Sequence, residues 1–370
     1  MKLSSYLKLK NRKVSMMFPN KLTKLLQIKY PIIQAPMAGG VTTTELVASV
    51  SNNGCLGMIG AGYMSPVELR KQIKEVRQLT SNNFGVNMFI PNNFLVSGRE
   101  IENANLLLEP FRHLLEIEGN GVDLPTFENL QATYTEQWKI VLEEKVPVCS
   151  FTFGVPSEHV LKELKQHNIV LVGTATTVRE AIEIEKIGMD IVVVQGSEAG
   201  GHRGNFISVH TDSLIGLMSL IPQVADNVKI PVVAAGGIMD GRGLMASICL
   251  GAQGVQMGTA FLTCEESGAH PIHKQAILQS SEDQTVLTRA FSGKWARGIR
   301  NKFVDEMRGQ EKLLPDFPIQ NSLTKWIRKA SSTQNNQAYM SLWSGQSPRL
   351  AKNQTVASLI TSVIDECKRF

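Results

Sequence analysis

The sequence predicts an α/β protein, a (β/α)8 TIM barrel, on three observations. Short apolar runs alternate with amphipathic segments of helical length from Tyr30 to about Ser281, the runs number eight, and glycine-rich turns follow several of them. Parallel strands buried on both faces read as nearly continuous apolar stretches, and each needs a covering helix before the next strand begins. The predicted strands lie at 32–34, 56–59, 84–89, 148–152, 169–173, 191–195, 232–235 and 254–257.

The helices between them carry start and stop signals. Thr42 with Glu45, Ser65 with Glu68 and Thr177 with Glu180 match the S/T-x-x-E capping pattern, in which hydroxyl and carboxylate each satisfy a free N–H of the first turn. Pro66 stands at a first helical position, where its missing N–H costs nothing. A helix starting after Asp240 ends at Leu250-Gly251, the glycine being able to take the left-handed turn of a helix stop. The alternation breaks between Pro91 and Lys145, which reads as an insertion after the third strand, with a helical segment from Glu136 to Lys145. From residue 282 strand signals stop, and a C-terminal extension (282–370) with two terminal helices is expected to pack on the barrel formed by 20–281.

Composition narrows the function classes. With 43% hydrophobic and 19% charged residues in 370, the chain matches globular averages, and no apolar run approaches the roughly 18 residues of a membrane span. The net charge of +5 equals the five cations Lys2, Lys8, Lys10, Arg12 and Lys13 of the basic tail (1–19), expected to be flexible. The body is formally neutral and offers no basic face for nucleic acid. The tail lacks the apolar segment of a signal peptide, and Met16 and Met17 offer alternative starts. Cys55, Cys149, Cys249, Cys264 and Cys367 are widely spaced without a C-x-x-C pair, which fits a reducing, cytoplasmic setting and small buried hydrophobes.

Barrel chemistry sits at the carboxyl ends of the strands. There the sequence places Met37 after the first strand, Asn87 in the third, and Gln195 before a loop with Gly200, His202 and Arg203 after the sixth. Gly236 and Gly237 follow the seventh, and the eighth runs through Gln256 and Met257 to Gly258 and Thr259. Successive glycine turns on the last two strands have the form of a phosphate cradle, because without a Cβ the backbone N–H groups can approach phosphate oxygens. His202, in Gly-Gly-His-Arg-Gly, has little around it to pack on and is expected to face a ligand; an ordinary imidazole pKa near ~6.5 suits it to proton abstraction. His113, His159, His167, His210, His270 and His273 are expected in surface or packing roles, and they lack metal-ligand spacing. Asn87 and Gln195 can read the edge of a heterocycle or hold the barrel interior together. Arg203 is expected either to hold an anionic substrate group or to pair with Glu198.

The segments PIIQAPMAGG, FGVNMF, QGSEAGGHRG, PVVAAGGIMDGRG and GVQMGTAFL, in that order, resemble the nitronate monooxygenase family, as do FSGKWARG and WSGQSPR further on. The resemblance begins at about Asn20. It implies FMN at the carboxyl ends of the strands, contacted by Met37, Asn87, Gln195, Gly200, Gly236, Gly237, Gln256, Met257, Gly258 and Thr259, with His202 as the catalytic base. The implied reaction is oxidation of alkyl nitronates, propionate 3-nitronate among them, to a carbonyl compound and nitrite with O2. Detoxification of a nitro compound is the purpose such chemistry suggests. The flavin-dependent enoyl-ACP reductases, which use NAD(P)H, share the EAGGH and AAGGI segments and form the alternative. An NADH:quinone reductase or a catalytically silent flavin-binding protein are further readings.

Overall fold

The structure, a computed structural model, describes residues 18–118, 121–208 and 211–370. His210 and all but the last two residues of the basic tail therefore lie outside the described residues. Phe18 is buried with its ring edge-on to Tyr30.

Nine strands appear up to residue 257: β1 (Ile32–Gln34), β2 (Gly57–Gly60), β3 (Phe84–Phe89), β4 (Val148–Thr152), β5 (Val170–Ala175), β6 (Ile191–Gln195), β7 (Gly201–His202), β8 (Val232–Ala235) and β9 (Gly254–Met257). All but β7 form one parallel sheet in the order β1-β9-β8-β6-β5-β4-β3-β2. The ends of this order meet: Gln34 N–H donates to Leu56 O at 2.9 Å and Leu56 N–H to Ile32 O at 3.0 Å, so the barrel closes. Six of the eight barrel strands fall where the sequence puts them, while β2 and β5 begin one residue later and run further. At β2 the cause is visible, since Leu56 is engaged by β1 before the β3 ladder starts.

The helix starts follow their caps with two corrections. Ser65 and Glu68 form the expected reciprocal box, and Asp240 caps the helix Gly241–Cys249, with Gly251 beyond it at φ +108°. In the first barrel helix, however, Thr43 and not Thr42 is the cap, accepting from Leu46 N–H; Thr42 instead accepts from Gly60 N–H. Thr177 caps its helix, but the Glu180 carboxylate does not return to it. It accepts from Thr176 and from the N–H groups of Phe206, Ile207 and Ser208, thereby fixing the loop after β7.

Alternation along each strand divides the core in two. Outward residues such as Val86, Phe151, Val194 and Met257 pack against the helices. Inward residues such as Ile33, Val148, Val193 and Val233 fill the lower barrel, and the short helix Lys21–Leu26 closes its base with Leu22 and Leu26. Each of these leucines is fully buried, a contribution of about 2–3 kcal/mol apiece. Toward the carboxyl rim the inward positions turn polar, with Asn87, Ser150, Thr174, Gln195 and Gln256, and there the apolar filling gives way to a cavity.

Two helices of 17 residues, Gly98–Leu114 and Phe127–Glu143, occupy the region between β3 and β4. The second begins nine residues before the helical segment read from sequence. The extension holds more than helices. Its strands β10 (Thr285–Thr288) and β11 (Ala296–Ile299) form an antiparallel sheet with β7. Short strands of mixed polarity in this position leave no usable period in the sequence. The terminal helix Val356–Cys367 packs along the helix Gly241–Cys249, where Cys367 Sγ meets Gly241 O at 3.6 Å. Among the described residues no helix is long and apolar enough to cross a membrane.

Candidate active site

The cavity at the carboxyl rim is lined by residues of β3 to β9 and by the segment 343–347 of the extension. Met37, Asn87, Gln195, Gly200, His202, Gly236, Gly237, Gln256, Gly258 and Thr259 all reach it. Of the residues expected at a cofactor, Met257 does not. It is 1% exposed and its side chain lies in the outer core, because on β9 it alternates with the inward-facing Gln256.

Three further sequence readings change in detail. Asn87 is held by its own amide, Nδ2 donating to Ser150 Oγ at 2.8 Å and to Thr152 Oγ1 at 3.1 Å. Its carbonyl oxygen is the group left for the cavity. Gln195 spends both ends on the loop that follows it: Nε2 donates to His202 O at 2.9 Å and Oε1 accepts from Gly204 N–H at 2.8 Å. Arg203 neither reaches the cavity nor pairs with Glu198. Its guanidinium is fully buried and donates to Gly196 O, Gln195 O and Ser213 O at 2.6, 3.0 and 2.8 Å, while Glu198 accepts from Leu217 N–H. Burial, then the neighbouring Arg297, lower its pKa to about 10. The arginine is a clamp across the loop that carries His202.

His202 is presented on β7, whose backbone is paired on its other edge with β11 through the partners His202 with Ala296 and Gly201 with Arg297. Its Nε2 lies 2.8 Å from Ser292 Oγ, and that hydroxyl donates to Lys294 O at 3.0 Å. Phe153, Phe317 and Trp343 surround the imidazole at centroid distances of 6.0, 5.9 and 5.5 Å. Burial, followed by the nearby charges of Lys294 and Arg328, pushes its pKa down to about 3, so the ring is neutral at physiological pH. Phe153 holds its place at φ +73°, a left-handed conformation that costs a bulky side chain about 1–3 kcal/mol.

Sequence reasoning missed Ser292, Phe317 and Trp343 as neighbours of His202, since no strand-end rule points to an extension; it also passed over Phe153, although that residue directly follows β4. For His273 it offered a surface or packing role, and the structure gives the buried one. His273 is buried at the cavity wall, Nε2 against Trp343 O at 2.9 Å, with burial lowering its pKa to about 4.

Of the last two turns, the first has a backbone that favours glycine, whereas Gly258 takes an ordinary φ of −107°. Gly236 and Gly237 take φ +137° and +64°, and a Cβ on Gly236 would stand 3.0 Å from Ala199 N. Among the described residues, neither Gly237 nor Thr259 gives its N–H to another backbone carbonyl. The extension covers these turns: Gly345 N–H donates to Thr259 Oγ1 at 3.0 Å and Ser347 Oγ to Gly237 O at 2.9 Å. Gly200 makes room for that cover, because a Cβ there would lie 2.6 Å from the Ser344–Gly345 backbone.

The model of the family described as nitronate monooxygenase matches residues 20–366. The chain belongs to the nitronate monooxygenase family. Members of this flavin-dependent family act on small molecules. Relatives named "Probable nitronate monooxygenase" include one from Staphylococcus haemolyticus, 51% identical over 355 residues and covering 95% of this chain and 98% of that one. Another, from Staphylococcus aureus, is 52% identical over 352 residues, covering 94% and 97%. Among solved structures, nitroalkane oxidase from Streptomyces ansochromogenes matches with a TM-score of 0.87 at 38% identity, covering 95% of this chain and 98% of that one. FabK from Thermotoga maritima shares the fold at a TM-score of 0.73 and 32% identity, covering 94% and 96%.

Proposed function

We propose that this chain oxidises alkyl nitronates, propionate 3-nitronate among them, to a carbonyl compound and nitrite, with FMN held at the rim cavity and O2 as electron acceptor. The observation that carries this reading is the meeting of His202 and the two glycine turns at one cavity in a chain of this family. The cavity's donors suit a phosphorylated flavin. The open N–H groups of Gly237 and Thr259 would receive the phosphate, and Asn87, Gln256 and Met37 would border the ring system. Bound there, FMN would supply the electron transfer from substrate and its return to oxygen.

The protein's own part is electrostatic and acid–base. Because the Ser292 hydroxyl donates to Lys294 O, it accepts from His202 Nε2–H, which leaves Nδ1 as the basic atom. The neutral imidazole is ready to take the α-proton of a nitroalkane, though Lys294 and Arg328 oppose the imidazolium that results. The same two cations favour an anion beside the ring, so a preformed nitronate is the substrate the site accepts most readily. His202 is required only when the neutral nitro compound is offered.

Purified protein should show a flavin absorbance spectrum and consume oxygen with propionate 3-nitronate. Mixed anaerobically, the flavin should bleach with nitronate and not with NADPH. Rapid bleaching by NADPH would transfer the assignment to the enoyl reductases.

A further inference from the structure

Beside the rim cavity lies a second chamber, enclosed by the helix Phe127–Glu143 and the segment 90–94 on one side and by residues 316–322 of the extension on the other. The two spaces share Tyr63, Phe89 and Phe153 as common walls. These rings are locked: Tyr63 stands edge-on to Phe89 at 5.4 Å, Phe89 lies 4.6 Å from Phe153, and a Cβ on Gly62 would enter the Phe89 ring. On the outer walls the apolar Ile90, Phe94, Pro125 and Leu130 are interleaved with polar side chains, Asn92 and Asn93 among them.

At the junction stands Lys294. Its Nζ lies 4.9 Å from the Phe153 ring centroid and 3.5 Å from Asn205 O, with the carboxylates of Glu180 and Asp316 acting on it without forming an ion pair. Arg328 adds a second cation, bonded to Asn321 and Thr324 rather than to a carboxylate. An anion against His202 therefore has positive charge beside it and, beyond Phe153, a chamber with one apolar side.

We propose that the outer chamber is the binding site for the organic substituent of the substrate, so that the enzyme takes nitronates bearing extended apolar groups, with Lys294 facing the anionic end. The assignment rests on the nitronate reading of the inner cavity. It makes the insertion and the extension, rather than the barrel, the source of substrate-size selectivity. A small nitronate occupies the inner cavity alone; each added methylene passes Phe89 and Phe153 toward the apolar side of the chamber formed by Ile90, Phe94, Pro125 and Leu130.

Straight-chain carboxylates are planar anions shaped like nitronates and resist oxidation, which makes them direct probes. Inhibition by the series from propanoate to octanoate is measured on the flavin-loaded enzyme with ethyl nitronate as substrate, and, independently of turnover, by titration of the flavin absorbance. The inhibition constants should fall about fourfold for each methylene that enters the chamber. Leu130→Trp, with Thr133→Trp as a second filling variant, should weaken octanoate at least tenfold and leave propanoate within about twofold. Lys294→Met should weaken every acid alike. A flat series in the unaltered enzyme, or equal losses for propanoate and octanoate in both filling variants, overturns the proposal. Should the absorbance titration show the expected slope while no nitronate is oxidised, the chamber stands and the functional reading fails.

Discussion

The Nε2 atom of His202 lies 2.8 Å from the hydroxyl oxygen of Ser292, a residue 90 positions away in the extension. The imidazole comes from the barrel rim and its partner from the extension. Removing the partner tests what it does. Ser292→Ala should lower kcat on neutral nitroalkanes about tenfold by releasing the ring from a single tautomer, with little change in KM or in activity on preformed nitronates. An unaltered kcat on nitroalkanes would show that the contact is structural only.

The role of His202 itself separates two substrates. His202→Asn should lose about a hundredfold or more on neutral nitroalkanes and keep most of its activity on nitronates, because only the former needs a base. Steady-state kinetics on both forms of one compound decides it, and equal losses would contradict the assigned role.

The glycine turns predict cofactor retention. Gly236 sits at φ +137° with Ala199 N 3.0 Å from where a Cβ would stand. Gly236→Val should therefore purify with less bound flavin, measured as the ratio of flavin to protein absorbance in a sample whose circular dichroism is native. A fully yellow variant would place the phosphate elsewhere.

Arg203 predicts stability rather than binding. Replacing it with methionine strips donors from the buried carbonyls of Gly196, Gln195 and Ser213, at a cost of about 3 kcal/mol or more in denaturant unfolding. If stability holds and substrate affinity drops instead, the clamp assignment is wrong.

Two buried imidazoles set an acid limit. Folding lowers the pKa of His202 from 6.5 to about 3 and that of His273 to about 4, so below pH 6.5 the unfolded chain binds protons that the folded one refuses. Stability should thus fall as pH drops from 6.5 toward 4, and His273→Asn should flatten that slope. Melting temperatures across this range give the answer, an unchanged slope in the variant counting against it. For the same reason, kcat/KM on a neutral nitroalkane should show no ascending limb near pH 6.5 that depends on His202.

What the sequence alone determined is whatever local pattern encodes. Apolar runs located six barrel strands to the residue, Ser65 and Asp240 marked their helix starts, and glycine turns stood at 236–237 and 258, because these depend on neighbours a few positions apart. Even Met257 was open to correction by period-2 alternation. Only the tertiary structure decided which side chains meet. Nothing local ties Ser292 to His202, sets Phe153 between two chambers, or turns Arg203 from the ligand to the carbonyls of its own loop. Such contacts, and the neutrality of an imidazole that in isolation titrates near 6.5, follow from which surfaces burial and charge bring together once the chain has closed on itself.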